Sequence, residues 1–253
     1  MRYFAKQAAT TTFDYDTYRK TVSVKNNFAT NYWDKVTMKG GSGSDTITNS
    51  GSNVSITAGA GKDTIKTYSD KVTVNAGDGN DFIFNEGSKV SLSGGAGNDS
   101  VQSEGSSLTI NGGAGNDSIV NNISSFEIVE AFTDEELEQG ITTTNGVTVT
   151  TSDDKVYVAN VSGGDNATIL GGAGADKIIN QASEVLIKGE ADADKITNYG
   201  FDVTIYGGDA NDVILNSSTS RDFDDDVVSI SGYQALIYGG KGNDSIKNTA
   251  DEV

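Results

Sequence analysis

Aliphatic residues recur along this chain with a period of 18 residues, each of them two positions after an aspartate. A second set of apolar residues follows the same period, as pairs separated by one residue. Such alternation is typical of a short β-strand with one buried face, so each 18-residue unit is predicted to contain two strands. The single positions are Ile47, Ile65, Ile83, Val101, Ile119, Ile178, Ile196, Ile214 and Ile246, and the pairs are Val54/Ile56, Val72/Val74, Val90/Leu92, Leu108/Ile110, Phe126/Ile128, Val185/Ile187 and Val203/Ile205.

A glycine-rich turn precedes each aspartate, and Gly94 to Asp99, which reads GGAGND, is its clearest copy. Units this short are too small for a helical hairpin or a propeller blade, but they suit a stacked solenoid. Each coil is therefore predicted to run turn, strand, turn, strand, with the strands of successive coils parallel and about 4.8 Å apart. The aspartates are Asp45, Asp63, Asp81, Asp99 and Asp117 in a first block, then Asp176, Asp194 and Asp212, and Asp244 after a longer gap.

A column of asparagines lies two residues after the aliphatic positions and has the same parity, so it is predicted to face inward. There the amide side chains can close the second turn of each coil by bonding to its backbone. The column comprises Asn49, Asn85, Asn121, Asn180, Asn198, Asn216 and Asn248.

The glycines before each aspartate indicate backbone that takes positive φ or approaches its neighbour closely. A turn that directs its carbonyl groups inward and presents one carboxylate per coil brings oxygen ligands from neighbouring coils around one point. Oxygen ligands of this kind suit a hard cation such as calcium.

At these residues the chain resembles the RTX, or haemolysin-type, calcium-binding repeat, GGxGxDxUx with U aliphatic, and the motif recurs nine times. The resemblance covers about residues 40 to 130 and 154 to 250. It implies an all-β fold, a right-handed parallel β-roll or β-helix solenoid of 18-residue coils. It also implies several Ca2+ ions stacked along the edge of the roll.

The resemblance further implies which residues hold the ions. One loop would give the carbonyls of its second and fourth positions and its aspartate; the next loop would give the carbonyls of its first and third positions and its own aspartate. The implied ligands are Gly41, Gly43, Asp45, Ala58, Gly59, Ala60, Gly61, Asp63, Ala76, Gly77, Asp78, Gly79, Asp81, Gly94, Gly95, Ala96, Gly97, Asp99, Gly112, Ala114, Asp117, Gly172, Gly174, Asp176, Gly189, Ala191, Asp194, Gly207, Asp209, Asp212, Gly239, Lys241 and Asp244.

Two departures from the family pattern limit these sites. The alternate half of each coil reads like Asn85-Glu86-Gly87-Ser88-Lys89, without the motif, so ions are expected on one edge only. The turn before Asp194 lacks two glycines and Ala210 replaces another, so the sites near Asp194, Asp212 and Asp244 are expected to be degenerate.

The negative net charge of the chain predicts that bound cations are needed for folding. The 253 residues carry a formal charge of −18 and are only 35% hydrophobic, and self-repulsion of this size opposes a compact state. About seven divalent ions would bring the charge to roughly −4. Folding is therefore predicted to depend on calcium, as in other domains whose metal sites exist only when folded.

Several classes of protein are disfavoured by composition. The chain has no Cys and no His, which removes disulfides, thiolate sites and the usual catalytic bases. Its acidity disfavours nucleic acid as a partner. No apolar run suits a signal peptide or a membrane span. Weak calcium sites suit an extracellular compartment, so the protein is expected to be secreted or at a bacterial cell surface, and the chain is expected to be a fragment of a longer protein.

The order of motifs predicts four segments. Residues 1–35 are rich in aromatic residues and are expected to form an N-terminal cap, with a carbohydrate-binding platform as the alternative. Residues 36–130 and 154–253 are expected to be roll. Between them, residues 131–153 carry a capping-box pattern at Thr133 to Glu136, which predicts a short helix from Phe132 to Gln139 in a tolerated insertion or a partner-docking loop. Residues 163–165 are expected to be a small turn insert. An acidic insertion at 217–233 is expected to be a solvated loop, with an extra calcium site or a patch for a basic partner as alternatives.

No catalytic constellation stands out, so the chain is predicted not to be an enzyme. The leading hypothesis is a calcium-binding module that acts as a rigid spacer, adhesin or passenger segment, with a surface glycan or a protein as a further partner. The alternative is a polysaccharide-active β-helix enzyme, a lyase or epimerase, or its auxiliary module. End-to-end self-association through open strand edges is a third hypothesis.

Overall fold

The computed structural model describes residues 20–24, 28–122, 125–132, 146–150, 156–162, 164–217, 219–223, 226–230 and 235–249. Within these residues the chain is all-β, without a helix, and two parallel sheets of ten strands each form a solenoid. No helix in the described segments is long and apolar enough to cross a bilayer.

The first sheet, called sheet A, contains in spatial order β1 (Lys20–Ser23), β3 (Val36–Lys39), β5 (Ser55–Ala60), β7 (Thr73–Asp78), β9 (Ser91–Ala96), β11 (Thr109–Ala114), β16 (Thr168–Ala173), β18 (Leu186–Ala191), β20 (Thr204–Asp209) and β24 (Leu236–Lys241). Sheet B contains β2 (Phe28–Asn31), β4 (Thr46–Asn49), β6 (Thr64–Thr67), β8 (Phe82–Asn85), β10 (Ser100–Ser103), β12 (Ser118–Asn121), β17 (Lys177–Asn180), β19 (Lys195–Asn198), β21 (Val213–Asn216) and β25 (Ser245–Asn248).

The core lies between the two sheets and is built from the aliphatic columns that the sequence predicts. Ile56 pairs in register with Val74 and Val74 with Leu92 along sheet A, while Ile65 pairs with Ile83 along sheet B. All five are buried. Each fully buried aliphatic side chain of this size contributes about 1.5–3 kcal/mol by leaving water. The 18-residue coil with two apolar strands is therefore confirmed.

The two blocks of repeats form one continuous stack. β11 pairs directly with β16 and β12 with β17, although the paired residues are 59 positions apart in the sequence. The intervening strands β13 (Ser125–Phe132), β14 (Gly146–Thr150) and β15 (Val156–Ser162) form a separate antiparallel sheet in the order β13-β15-β14. The chain thus leaves the solenoid after β12 and returns to it before β16, which stacks directly on β11.

This antiparallel sheet contradicts one expectation from the sequence, the apolar pair Phe126/Ile128, and bears on a second, the expected helix. Phe126 and Ile128 do not continue the apolar pairs of the coils, because they pair antiparallel with Val161 and Ala159. The run Val147 to Val149 also lies in this antiparallel sheet, where it pairs with β15. The expected helix lies outside the described residues, except that its first residue, Phe132, ends β13.

The turn after each strand of sheet B is closed by the asparagine column. Asn85 is fully buried; its Nδ2 donates to the carbonyl of Gly87 at 2.8 Å, and its Oδ1 accepts the Gly87 N–H at 3.1 Å. Asn198 bonds to Gly200 in the same way. We call this turn the asparagine turn. The inward-facing asparagines are confirmed at Asn49, Asn85, Asn121, Asn180, Asn198 and Asn216, whereas Asn248, in the last strand, is exposed.

Both excursions of the chain leave from the asparagine turn. The first ends at Gly164, whose N–H donates to the carbonyl of Gly105 and whose own carbonyl accepts from Asn121 Nδ2. Gly164 and Asp165 therefore complete an asparagine turn, and the expectation of a turn insert at 163–165 is wrong for these two residues, while Gly163 lies outside the described residues. The second contains the hairpin β22 (Thr219–Phe223) and β23 (Asp226–Ile230), between β21 and β24, within the expected acidic insertion. The opposite edge of the solenoid is uninterrupted.

The expected N-terminal cap is not confirmed. Where it is described, it is already solenoid, because Lys20 to Ser23 pair in parallel with β3 and Phe28 to Asn31 pair in parallel with β4. Residues 1–19 lie outside the described segments, so a cap formed by the aromatic residues there stays a prediction.

Candidate metal centre

The turn before each strand of sheet B is the glycine-rich hexapeptide, and we number its positions 1 to 6 so that the aspartate is position 6. Positions 2 and 4 take a left-handed backbone, with φ of +115° at Gly95 and +127° at Gly97. A Cβ at either residue would collide with the carbonyl of Gly77 or Gly79 in the preceding coil. Glycine is therefore required here for both its φ and its close approach.

The aspartates form a ladder along this edge. In each of eight steps, the backbone N–H of one aspartate donates to Oδ1 of the aspartate in the next coil, at 2.7–3.0 Å. The steps are Asp45 to Asp63, Asp63 to Asp81, Asp81 to Asp99, Asp99 to Asp117, Asp117 to Asp176, Asp176 to Asp194, Asp194 to Asp212 and Asp212 to Asp244.

The second carboxylate oxygen is buried without a partner. Seven Oδ2 atoms are inaccessible to solvent, and none of them accepts a hydrogen bond within the described part of the chain. They belong to Asp63, Asp81, Asp99, Asp117, Asp176, Asp194 and Asp212. A buried polar atom left unsatisfied costs roughly 1–3 kcal/mol, and more if it is charged. Seven in one column therefore call for a shared ligand.

Backbone carbonyl oxygens lie close to the same unpartnered Oδ2 atoms. Beside the Cα of Gly112, a side-chain carbon would lie 2.5 Å from both Asp117 Oδ2 and the carbonyl oxygen of Gly171 in the next coil. Asp99 Oδ2 and the Gly112 carbonyl converge in the same way beside Gly94. An oxygen-lined space between an aspartate and the position 1 carbonyl of the next coil fits a hard cation.

Position 3 carbonyls already hold one hydrogen bond in the regular turns. The N–H of Gly79 donates to the Ala96 carbonyl at 2.7 Å, and the N–H of Gly97 donates to the Ala114 carbonyl at 2.7 Å. A carbonyl oxygen has two lone pairs, so these oxygens keep one for a cation.

No three acidic, imidazole or thiol side chains converge anywhere in the described segments. A cation in this column would therefore depend on backbone carbonyls together with two aspartates. That is the donor set that the resemblance implies.

Burial also changes the acidity of the ladder. It raises the pKa of Asp81, Asp99, Asp117 and Asp176 to about 6, although the N–H of the preceding aspartate lowers it. Asp194 is raised further, to a pKa of about 7, by burial and by the nearby carboxylates, first among them Asp176. Adjacent carboxylates repel one another across the coils, and a divalent cation would relieve both the repulsion and the desolvation.

The first and last turns depart from the regular geometry. Gly41 and Gly43 do not take the left-handed backbone, and the Gly41 N–H donates to Asp45 Oδ2 at 3.1 Å, so that this oxygen has a partner. In the last step, the Lys241 ammonium pairs with Asp209 at 2.9 Å across the outer rim, where both side chains are exposed.

The irregular turns near Asp194 keep the backbone shape of the others. Glu190, Asp192 and Ala210 stand where other turns have glycine and take φ values of +80°, +71° and +80°. The aspartate ladder continues through both turns at 2.8 and 2.9 Å.

The structure adds one step that the sequence reasoning missed. Asp117 and Asp176 are adjacent rungs, so the position 2 and 4 residues Gly113 and Gly115 face the position 1 and 3 residues Gly171 and Ala173. The motif was visible at both ends, but a separation of 59 residues is not a multiple of 18.

Comparison with known families agrees with this geometry. The family model described as the RTX calcium-binding nonapeptide repeat (4 copies) matches residues 39–68, 57–87, 91–120, 161–179, 189–217 and 236–247, together more than half of the chain. Searches against curated proteins and against solved structures gave no significant match.

Proposed function

The chain belongs to the RTX calcium-binding nonapeptide repeat family, and from that premise we propose that it is a calcium-loaded β-roll module of a secreted or cell-surface protein. Calcium binding is the property that the family implies. The proposal adds that the module folds on binding calcium and serves as a rigid spacer, adhesin or passenger segment.

The observation that carries the proposal is the column of seven buried, unpartnered Asp Oδ2 atoms. Each ion would lie between two turns. For Asp99 and Asp117, the ligands would be the carbonyls of Gly95 and Gly97 with the carbonyls of Gly112 and Ala114 and both carboxylates. The eight steps of the ladder offer up to eight such positions, including the one between Asp117 and Asp176.

Calcium titration of two matched variants tests the sites. Asp99→Asn keeps an oxygen that can accept the Asp81 N–H but removes the charge shared by two neighbouring positions. Asp70→Asn removes an exposed charge at the asparagine turn, where Asp70 Oδ1 accepts the Ser88 N–H. We expect Asp99→Asn to reduce the calcium stoichiometry by about two ions, as two adjacent sites each lose a carboxylate, and Asp70→Asn to leave it unchanged.

The folding claim has a separate readout. Far-UV circular dichroism should show β-structure in millimolar calcium and its loss after calcium is removed. An unchanged β spectrum in chelator, together with unchanged stoichiometry in Asp99→Asn, would refute the proposal.

A spacer role is supported by the continuity of the stack through both excursions. Ten rungs about 4.8 Å apart predict a solenoid of roughly 45 Å, rigid because each rung is bonded to its neighbours. Small-angle scattering should show this length only in calcium. Secretion or surface display is tested by fractionating cells that produce the natural protein, and end-to-end association by sedimentation with and without calcium.

An adhesive role has one supporting observation on sheet A. The rings of Tyr206 and Tyr238 stack with centroids 4.9 Å apart and are 40% and 46% exposed. Tyr206 also lines an open groove of about 400 Å³ with Leu186, Lys188 and Glu190. Exposed aromatic faces pack well on sugar rings, so a neutral polysaccharide is the proposed ligand. Binding on a glycan array that Tyr206→Ala abolishes would support adhesion, and an array without any ligand would favour the spacer.

A further inference from the structure

The turn that ends at Asp194 carries two residues that the motif does not explain. Glu190 and Asp192 have side chains at positions 2 and 4, with φ of +80° and +71°. Side chains in this region of φ cost free energy, and such outliers persist where the surrounding structure or a function requires them. Asp192 is the residue for which the structure offers a function.

Asp192 reaches across to the preceding coil. Its Oδ2 accepts the N–H of Gly174, the position 4 residue of that coil, at 3.2 Å. In five earlier steps the equivalent N–H donates instead to a position 3 carbonyl: Gly43 to Ala60, Gly61 to Asp78, Gly79 to Ala96, Gly97 to Ala114 and Gly115 to Ala173. The Asp192 carboxylate therefore stands between the two coils, at a place where other turns have only backbone.

Independent observations support a cation site at the same step. Asp176 and Asp194 are each 2% exposed, and both have an Oδ2 without a hydrogen-bond partner within the described residues. Beside the Cα of Gly171, Asp176 Oδ2 converges with the carbonyl of Gly189. This step thus has the oxygen-lined space of the regular turns and one further carboxylate at its rim.

We propose that Asp192 places a third negative charge at the rim of the cation site between the turns of Asp176 and Asp194 without ligating the ion, and that this site consequently fills at lower calcium concentration than the sites between regular turns. A negative charge beside a cation site raises the local concentration of cations. The inference rests on the proposed calcium binding and deepens it. The sequence marks this turn as degenerate, whereas the proposal gives it a higher affinity than the regular turns.

Two substitutions separate an effect of the Asp192 charge on the site from a tolerated irregularity. Asp192→Asn keeps the tolerance for left-handed φ and an oxygen for the Gly174 N–H, but removes the charge. Asp192→Gly restores the motif and relieves the backbone. Asp202→Asn is the matched control, because Asp202 is also an exposed aspartate with left-handed φ, +55°, but lies at the asparagine turn.

Hydrogen exchange measured by mass spectrometry during a calcium titration of the whole chain gives a local readout. In the unmodified chain, peptides from 168–198 should become protected at lower calcium than peptides from 91–121, whose glycine-rich turns carry no acidic residue besides Asp99 and Asp117. Asp192→Asn and Asp192→Gly should each raise the midpoint of 168–198 on the order of tenfold and leave that of 91–121 in place. Asp202→Asn should move neither.

The competing outcomes are distinct. If Asp192→Gly stabilises segment 168–198 and leaves its calcium midpoint unchanged, Asp192 is only a tolerated irregularity and the inference is wrong. An unchanged midpoint in Asp192→Asn overturns it as well. If no segment of any variant responds to calcium, the proposed function itself fails, and the inference fails with it.

Discussion

Replacing Gly95 by alanine should destabilise the solenoid far more than replacing Gly41. Gly95 has φ of +115°, and an added Cβ would collide with the carbonyl of Gly77. Gly41 occupies the same position of the first turn, but its φ is not left-handed and nothing lies within 4 Å of an added Cβ. The two substitutions are identical in chemistry and in motif position. The difference in their stability therefore measures the left-handed φ of Gly95 and the close approach of the Gly77 carbonyl.

The magnitude follows from the two contributions at Gly95. A non-glycine residue in a sparsely populated φ region costs about 1–3 kcal/mol. Glu190 shows that a side chain at this position is accommodated with φ of +80°, so the alanine can relax part of the collision. We expect a loss of about 3 kcal/mol for Gly95→Ala. For Gly41→Ala we expect a change within about 1 kcal/mol, because a glycine replaced without strain stabilises slightly through the unfolded chain.

Urea unfolding in saturating calcium, followed by far-UV circular dichroism, provides the comparison. The midpoints are compared at equal m-values, since a changed m-value would indicate local unfolding of a repeat array and not a shift in global stability. If both variants unfold within 0.3 M urea of each other at equal m, the requirement for a left-handed glycine is refuted; that interval corresponds to roughly 0.5 kcal/mol for a typical urea m-value.

Three further predictions concern the core, the asparagine turn and pH. Ile83→Ala should cost about 3–4 kcal/mol, because Ile83 is fully buried and its removal leaves a cavity, whereas Val213→Ala, at a 48% exposed position, should cost under about 1 kcal/mol in the same urea assay. Asn85→Ala should cost about 3 kcal/mol, because its bonds to Gly87 and to the Ser103 hydroxyl are lost in a buried turn; thermal melts should show it, and a melt unchanged within 2 °C would contradict it. In calcium-free buffer prepared with a chelating resin, the β-structure seen by far-UV circular dichroism should decrease as pH rises from about 4 to about 7. The folded pKa values of about 6 lie above the ordinary 3.8, so that the native state keeps protons which the unfolded chain releases in this window. In excess calcium the dependence should reverse, because the cation binds the deprotonated carboxylates, and β-structure that increases with pH without calcium would contradict this.

Sequence reasoning identified the coil correctly because its signal is repeated. The aliphatic and asparagine columns each recur at the same spacing, and one pattern of burial fits every described copy except the last, where Ile246 and Asn248 are exposed at the end of the stack. It failed for Phe126 and Ile128, whose spacing matches the coils by coincidence of local alternation. Alternation shows that a strand has a buried face, but it does not show which strand lies beside it.

The candidate site likewise has features that the sequence identified and features that it did not. The aspartates and glycines of regular turns were identifiable, since their types and spacing reflect left-handed backbone and oxygen ligands. The step from Asp117 to Asp176 was not, because an excursion of the chain separates two neighbours in space. Nor was the position of the Asp192 carboxylate, because a side-chain bond to the preceding coil depends on how the coils stack.

The sequence by itself determined the solenoid, its 18-residue coil and the edge on which carboxylates gather, because each of these follows from local alternation and from residues that must turn the chain. Only the tertiary structure decided that two separate blocks form one uninterrupted stack and that both excursions leave from the asparagine turn. Those features depend on which distant strands find each other. Hydrogen bonds between rungs decide that pairing, and they are specified by the register of the whole stack and by no single segment of it.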